Sequence, residues 1–265
     1  MAMPDNQPLL EVRDLVKAFG GLRAIDHCTL DVAPGTITGL IGPNGAGKTT
    51  LFNIMTGFIA PDSGRVYFRG QDITSLPAHR IFNAKLCRTF QIPREHFSMT
   101  LLENLMLVPS GQTGERIWNT WFRPGRVRAE EDRLRDQAEE VLKILEMTHM
   151  RDTLAGRLSG GQKKLLELGR ILMAEPRMVL LDEPGAGVNR SLMNRLVENI
   201  QWMRREKGIT FLLIEHDMDL VMNLCDPVIV MSEGRKLMEG APETVRNDPQ
   251  VLEAYLGGQY AAAAG

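Results

Sequence analysis

The chain has 265 residues, enough for one large domain or for a domain carrying a subdomain. At 43% hydrophobic and 24% charged residues with a net charge of −2, it has the make-up of a soluble globular protein and lacks the basic excess of a general nucleic-acid binder. Its three cysteines, Cys28, Cys87 and Cys225, are far apart and show no disulfide or metal spacing, which fits a reducing compartment.

Residues 1–8 are polar and contain proline, and a flexible tail is expected there. MAMPDNQPLLEV has no basic segment followed by an apolar one, so no signal peptide is expected. Residues 9–16 and 23–32 read as strands separated by a Gly20-Gly21 turn. Pro34-Gly35 reads as a hairpin-type turn into an apolar strand over Ile37–Ile41. That strand stops at Gly42-Pro43-Asn44-Gly45-Ala46-Gly47-Lys48-Thr49, a complete match to G-x-x-x-x-G-K-[ST], and a helical pattern follows through Leu51, Phe52, Ile54 and Met55. Glycines let successive N–H groups point inward, and the helix start adds its positive end to the same spot. Lys48 supplies a full positive charge for β/γ-phosphates, and the Thr49 hydroxyl is a ligand for Mg²⁺.

Further on, a turn at Pro61-Asp62-Ser63-Gly64 leads to a strand at 65–69, a short helix at 77–84 and a strand at 87–91 ending on Gln91. Thr100 and Glu103 have the spacing of a capping box. Residues 109–126 form a Gly/Pro-punctuated insert with Trp118, Trp121 and Phe122. Residues 127–147 read as an amphipathic helix through Leu134, Ala138, Val141, Leu142 and Leu145. A helix over 159–174 is broken by Glu175-Pro176. Buried-type strands at 178–181, 209–214 and 228–231 then alternate with helices at 190–207 and Met218–Leu224. Two short helical stretches follow Pro242. The longest apolar runs fall far short of the roughly 20 residues of a membrane-spanning helix.

Two further stretches carry chemistry. Asp182 and Glu183 lie just past a buried strand, where open α/β sheets bind ligands. Asp182 is suited to hold Mg²⁺ through water, and Glu183 to orient and deprotonate an attacking water. In Leu158-Ser159-Gly160-Gly161-Gln162, the serine stands at a helix N-cap and the glycines permit close backbone approach, which makes a second anion site.

This last stretch resembles the signature motif of ABC-type ATPases. That family also has the phosphate loop, the Asp-Glu after an apolar strand, a glutamine between them and a histidine after them. Gln91 in TFQ and His216 in IEHD stand in the family's order. The resemblance covers about residues 9–257. It implies one α/β nucleotide-binding domain with a P-loop NTPase core (9–98 and 175–240), a mostly parallel sheet, an N-terminal antiparallel β region and an inserted α-helical subdomain (about 99–174). A C-terminal helical extension (241–257) and flexible tails (1–8, 258–265) complete this division.

The resemblance further implies ATP and Mg²⁺ as cofactors, and ATP held between two domains paired head to tail. Gly42, Pro43, Asn44, Gly45, Ala46, Gly47, Lys48, Thr49 and Thr50 would bind nucleotide, with Phe19 stacked on adenine. Ser159, Gly160, Gly161 and Gln162 would face the nucleotide of the partner domain, Ser159 and Gly161 at the γ-phosphate. Gln91 would reach Mg²⁺ and the attacking water and sense the membrane partner, and His216 would contact the γ-phosphate. Thr49, Gln91 and Asp182 form the implied metal set, and Glu183, His216 and Gln91 the catalytic set.

Most of the family has Asp where Asn189 stands, and importers of branched-chain amino acids often have Asn there. The AGVN segment, EHDM at 215–218, the aromatic-containing insert and EAYLG at 253–257 resemble the same branch. The implied function is the ATP-hydrolysing, energy-coupling subunit of a membrane importer for branched-chain or other hydrophobic amino acids. Its implied place is the cytoplasmic face of the inner or plasma membrane. Its partners would be a second ATP-binding subunit, identical or paralogous, transmembrane permease subunits and, indirectly, a substrate-binding protein, with no nucleic acid. The alternative is a lipid or lipopolysaccharide exporter with a closely similar ATPase. A soluble ABC protein of translation or DNA maintenance fits less well, because the chain has one domain and no heptad run. A GTPase or small-molecule kinase using the same loop fits poorly, because the chain has no N-K-x-D base-reading motif and LSGGQ would go unexplained.

Overall fold

The computed structural model describes residues 7–89, 96–109, 112, 121 and 124–255. These form two compact units: the described residues among 1–88, 177–185 and 201–265 belong to the first, and those among 89–176 and 186–200 to the second. The second unit is therefore wider than the helical segment 99–174 expected from the sequence.

The first unit holds two sheets. β1 (Leu10–Phe19) and β2 (Leu22–Val32) are antiparallel and joined through Gly20-Gly21, with Phe19 opposite Leu22. β3 (Ile37–Ile41) leads to helix α1 (Lys48–Met55), and β4 (Ser63–Phe68) and β5 (Gln71–Asp72) complete a four-stranded sheet of order β2-β1-β4-β5. The Pro34-Gly35 turn is thus not a hairpin, because β2 and β3 lie in different sheets; it carries the chain from one to the other.

Helix α2 (Ala78–Asn83) precedes β6 (Leu86–Arg88). β7 (Met178–Asp182), β8 (Thr210–Ile214) and β9 (Val228–Ser232) join β3 and β6 in parallel. β10 (Arg235–Gly240) adds an antiparallel edge, giving the order β10-β9-β3-β8-β7-β6. β10 was not expected, since RKLMEG lacks alternation and only pairing with β9 makes it a strand. β6 ends at Arg88, short of the strand expected to reach Gln91, and Gln91 lies outside the described residues.

All five residues of β3, β7 and β8 are buried, as strands covered on both faces require. Met178, Leu180, Leu212, Ile214, Ile229 and Met231 point to one side, into a core shared with Leu51, Phe52 and Met55 of α1 and with Val12, Leu30 and Phe68 of the antiparallel sheet. Register pairs Leu40 and Asp182 each with Ile214. The carboxyl ends of three neighbouring strands therefore open on one edge of the sheet. Helix α7 (Met218–Leu224), helix α8 (Pro242–Arg246) and a helical stretch at 249–255 also belong to this unit.

In the second unit, α3 (Leu101–Met106), α4 (Pro124–Ile144) and α5 (Gly160–Met173) pack on one another. Thr100 caps α3 by accepting from Glu103 N–H, and the Glu103 carboxylate accepts from Thr100 N–H, the expected capping box. α4 begins at Pro124, where proline suits a first turn, and ends three residues earlier than expected, before Glu146 in a left-handed conformation. Gly169 lets the three helices close: a Cβ there would lie 2.8 Å from Leu145 and 3.0 Å from Leu105. Residues 186–189 lead into α6 (Arg190–Lys207), of which residues 190–200 belong to this unit and 201–207 to the first. Of the aromatic insert, only Gln112 and Trp121 fall within the described residues among 110–123, and Trp121 is exposed. No helix of the described residues is long and apolar enough to cross a membrane.

Candidate nucleotide site

The loop after β3 needs glycine at two points. Gly42 has φ +149°, and a Cβ there would collide with the Met231 carbonyl of β9. Gly47, the N-cap of α1, has φ +96°, and its Cβ would strike the Ala24 carbonyl of β2. The β9–β10 turn backs the loop, with Gly234 N–H donating to Ala46 O at 3.1 Å. The loop is thus pressed between backbone of both sheets, and a side chain at either glycine would push it out of place.

Lys48 is the first residue of α1 and is buried. Its ammonium donates to the carbonyls of Gly42 (2.7 Å) and Pro43 (3.0 Å). Burial pulls its pKa down, and the nearby charges of Glu183 and Asp182 oppose this. Lysine and both carboxylates therefore share one electrostatic neighbourhood.

Asp182 ends β7 and is buried. Arg88, at the end of neighbouring β6, donates to its carboxylate at 2.6 Å and to Asn53 Oδ1 of α1 at 2.6 Å, with its guanidinium 5.5 Å from the Phe52 ring centre. Arg88 so ties the end of β7 to α1. It was not anticipated, because nothing in CRTFQ says which strand lies beside β6.

Glu183 follows in a left-handed conformation, φ +49°, a strain of about 1–3 kcal/mol for a residue with a side chain. Its N–H donates to Ile214 O (2.9 Å), and its carboxylate accepts from His216 Nε2 at 3.0 Å. Glu215, between Ile214 and His216, is 5% exposed and accepts from the N–H of Gly185 (2.7 Å) and of His216 (3.1 Å). Glu215 had no expected role at the site; its only signal in the sequence was an acid next to His216 in EHDM.

A cleft of about 610 Å³ opens on this edge. It is lined by Phe19, Leu22, Arg23 and Ala24, by Asn44, Gly45, Ala46, Gly47, Lys48, Thr49 and Thr50, and by Glu183, His216 and Glu233. Ten residues expected at a nucleotide site thus meet in one cleft. Gly42 and Pro43 form the start of the loop, and Asp182 lies buried at the end of its strand. Leu22, Arg23, Ala24 and Glu233 were not expected. The first three begin β2 just after the two-residue turn, where Leu22 lies opposite Phe19 and Arg23 opposite Ala18, and Glu233 arrives on the β9–β10 turn that the sequence did not reveal.

Ser159, Gly160, Gly161 and Gln162 belong to the second unit. Ser159 Oγ accepts from Gln162 N–H, and Gln162 Oε1 accepts from Ser159 N–H, a second capping box. Gly161 has a packing reason of its own, since a Cβ there would overlap the Leu192 side chain. Gly160 has open space around it.

The oxygen donors of Thr49 and Asp182 suit a hard divalent cation such as Mg²⁺. Among the described residues, no three His, Cys, Asp or Glu side chains cluster to hold a metal. A cation here would take its remaining ligands from phosphate and water, as Mg²⁺ does in phosphate sites.

Residues 25–186 match the ABC transporter family, and residues 235–261 match the branched-chain amino acid ATP-binding cassette transporter family. The chain is 41% identical over 251 residues to the probable branched-chain amino acid transport ATP-binding protein LivG of Archaeoglobus fulgidus, covering 95% of this chain and 96% of that one. It is 38% identical over 252 residues to the high-affinity branched-chain amino acid transport ATP-binding protein LivG of Escherichia coli K12, covering 95% and 99%. The ADP conformation of MJ1267, an ATP-binding cassette of an ABC transporter, superposes with a TM-score of 0.81 at 38% identity, over 95% of this chain and all of that one. The chain belongs to the ABC transporter family of ATP-binding proteins.

Proposed function

We propose that this chain is the ATP-hydrolysing, energy-coupling subunit of a membrane importer of branched-chain or other hydrophobic amino acids, with residues 9–257 acting as one nucleotide-binding domain. The observation that carries the chemistry is the cleft in which the phosphate loop, Phe19, Glu183 and His216 meet. The substrate class rests on relatives named for branched-chain amino acid transport that match this chain over nearly its whole length.

In this reading the adenine stacks on Phe19, and the phosphates take the loop N–H groups and the Lys48 ammonium. Thr49, and Asp182 through water, would hold Mg²⁺, which would supply positive charge to the phosphates. Glu183 accepts a proton from the water that attacks the γ-phosphorus. The bond to the β-bridging oxygen breaks, giving ADP and inorganic phosphate. His216 holds Glu183 and the γ-phosphate in place. Gln91 completes the set as the link to Mg²⁺, water and the membrane partner. Ser159, Gly160, Gly161 and Gln162 serve the nucleotide of a second copy or paralogue, since one loop does not serve both anion sites. Closure of the pair on ATP would move permease subunits at the cytoplasmic face of the membrane, and a substrate-binding protein would deliver the amino acid on the other side.

The test is Glu183→Gln. It should bind ATP as the parent does, hydrolyse it at least about 100-fold more slowly, and accumulate as an ATP-bound dimer in size-exclusion chromatography. Normal turnover would remove Glu183 as the base. Co-purification with the permease products of neighbouring genes, and uptake of leucine by vesicles holding that complex, tests the substrate class.

A further inference from the structure

We infer that Glu215 is a positioning residue for hydrolysis: its buried carboxylate ties the loop that follows Glu183 to the loop that carries His216. The inference rests on the reading of Glu183 and His216 given above.

β7 and β8 are adjacent and parallel, with Asp182 opposite Ile214. Glu183 N–H makes the last backbone bond between them, to Ile214 O. Beyond that point the chains turn away from the ladder, and the N–H groups of Gly185 and His216 find no strand carbonyl. The Glu215 carboxylate accepts both, at 2.7 and 3.1 Å, and so replaces the missing ladder. A carboxylate is suited to this because it accepts two bonds and donates none.

The effect falls on Glu183. Its left-handed backbone is unfavourable and persists only where its surroundings fix it. Its own N–H is held to Ile214 O, the N–H two residues on is held to Glu215, and its carboxylate is held to His216, whose backbone Glu215 also holds. Glu215 thus sets the separation of the two side chains that meet at 3.0 Å. Displacement of a catalytic group by about 1 Å costs on the order of 100-fold in rate.

The test compares ATP turnover, ATP binding and melting temperature for the parent and for Glu215→Gln, His216→Ala and the double variant. Glu215→Gln keeps the volume but turns an NH₂ toward one of the two N–H donors. Its kcat should fall about 10- to 100-fold, with KM and nucleotide affinity within about twofold of the parent. In the His216→Ala background the same change should have a much smaller effect, because the two act as a unit. Turnover by Glu215→Gln within about twofold of the parent, while Glu183→Gln is inactive, overturns the inference and leaves the reading of Glu183 standing. A fall that is fully additive with His216→Ala also overturns it, since a general loss of stability behaves that way. Hydrogen exchange on the unmodified chain is a second measurement that does not depend on a variant folding. The Gly185 and His216 amides should exchange at least about 100-fold more slowly than free loop amides, and exchange at free-loop rates overturns the inference.

Discussion

Arg88→Met isolates the buried ion pair beneath the site. The Arg88 side chain is 7% exposed and that of Asp182 2%, and they meet at 2.6 Å. Methionine keeps the length and the contact with Phe52 but removes the guanidinium from a buried carboxylate. Breaking such a pair from one side costs about 3–5 kcal/mol, and the lost bond to Asn53 lies within that range. For a chain of this size, 1 kcal/mol corresponds to about 2–4 °C, so the melting temperature should fall by about 6–20 °C. Urea unfolding of the parent, Arg88→Met, Asp182→Asn and the double variant gives the coupling. Asp182→Asn removes the charge that needs Arg88, so Arg88→Met should cost less in that background by about 2–3 kcal/mol. A cost below about 1 kcal/mol for Arg88→Met, or strict additivity, would show that the pair does not hold β7 to α1.

Gly42→Ala should weaken ATP binding at least about tenfold and lower the melting temperature by several degrees, because the new Cβ meets the Met231 carbonyl at φ +149°; calorimetric titration with parent affinity would refute this. Ser159→Ala should cost about 1 kcal/mol of stability through the lost cap. Ser159→Arg should also stop turnover while the chain still binds ATP, and unchanged turnover would refute the shared site. Burial pushes the thiol of Cys28 up to about 11 and those of Cys87 and Cys225 up to about 12. A raised pKa favours the neutral thiol, so at pH 8 about one part in a thousand or less is thiolate. Iodoacetamide should leave all three unlabelled in the folded chain and label all three in denaturant, as read by mass spectrometry.

Much of the site was legible because its parts are local. A phosphate loop is a contiguous stretch whose glycines, lysine and flanking strand and helix are neighbours in the chain, and Gly42 through Thr50 read directly. The capping box at Thr100 and the N-cap at Ser159 lie within four consecutive residues each, and both formed as read; Gln162 makes the second a capping box as well. The buried strands at 178–182 and 210–214 announced themselves as unbroken apolar runs. β10 did not, because an edge strand is defined by the neighbour it pairs with.

What the sequence determined by itself, then, is the set of chemical groups and the local frames that present them. The tertiary structure decided which groups meet. Glu183 and His216 are 33 residues apart, and Arg88 and Asp182 are 94 apart. Each pair exists because β6, β7 and β8 are neighbours in parallel register, an order set by burying both faces of the sheet. The left-handed turn at Glu183 and the Glu215 carboxylate that holds its far side depend on that same register. Single residue types do not encode it, because strand order is a property of long-range packing.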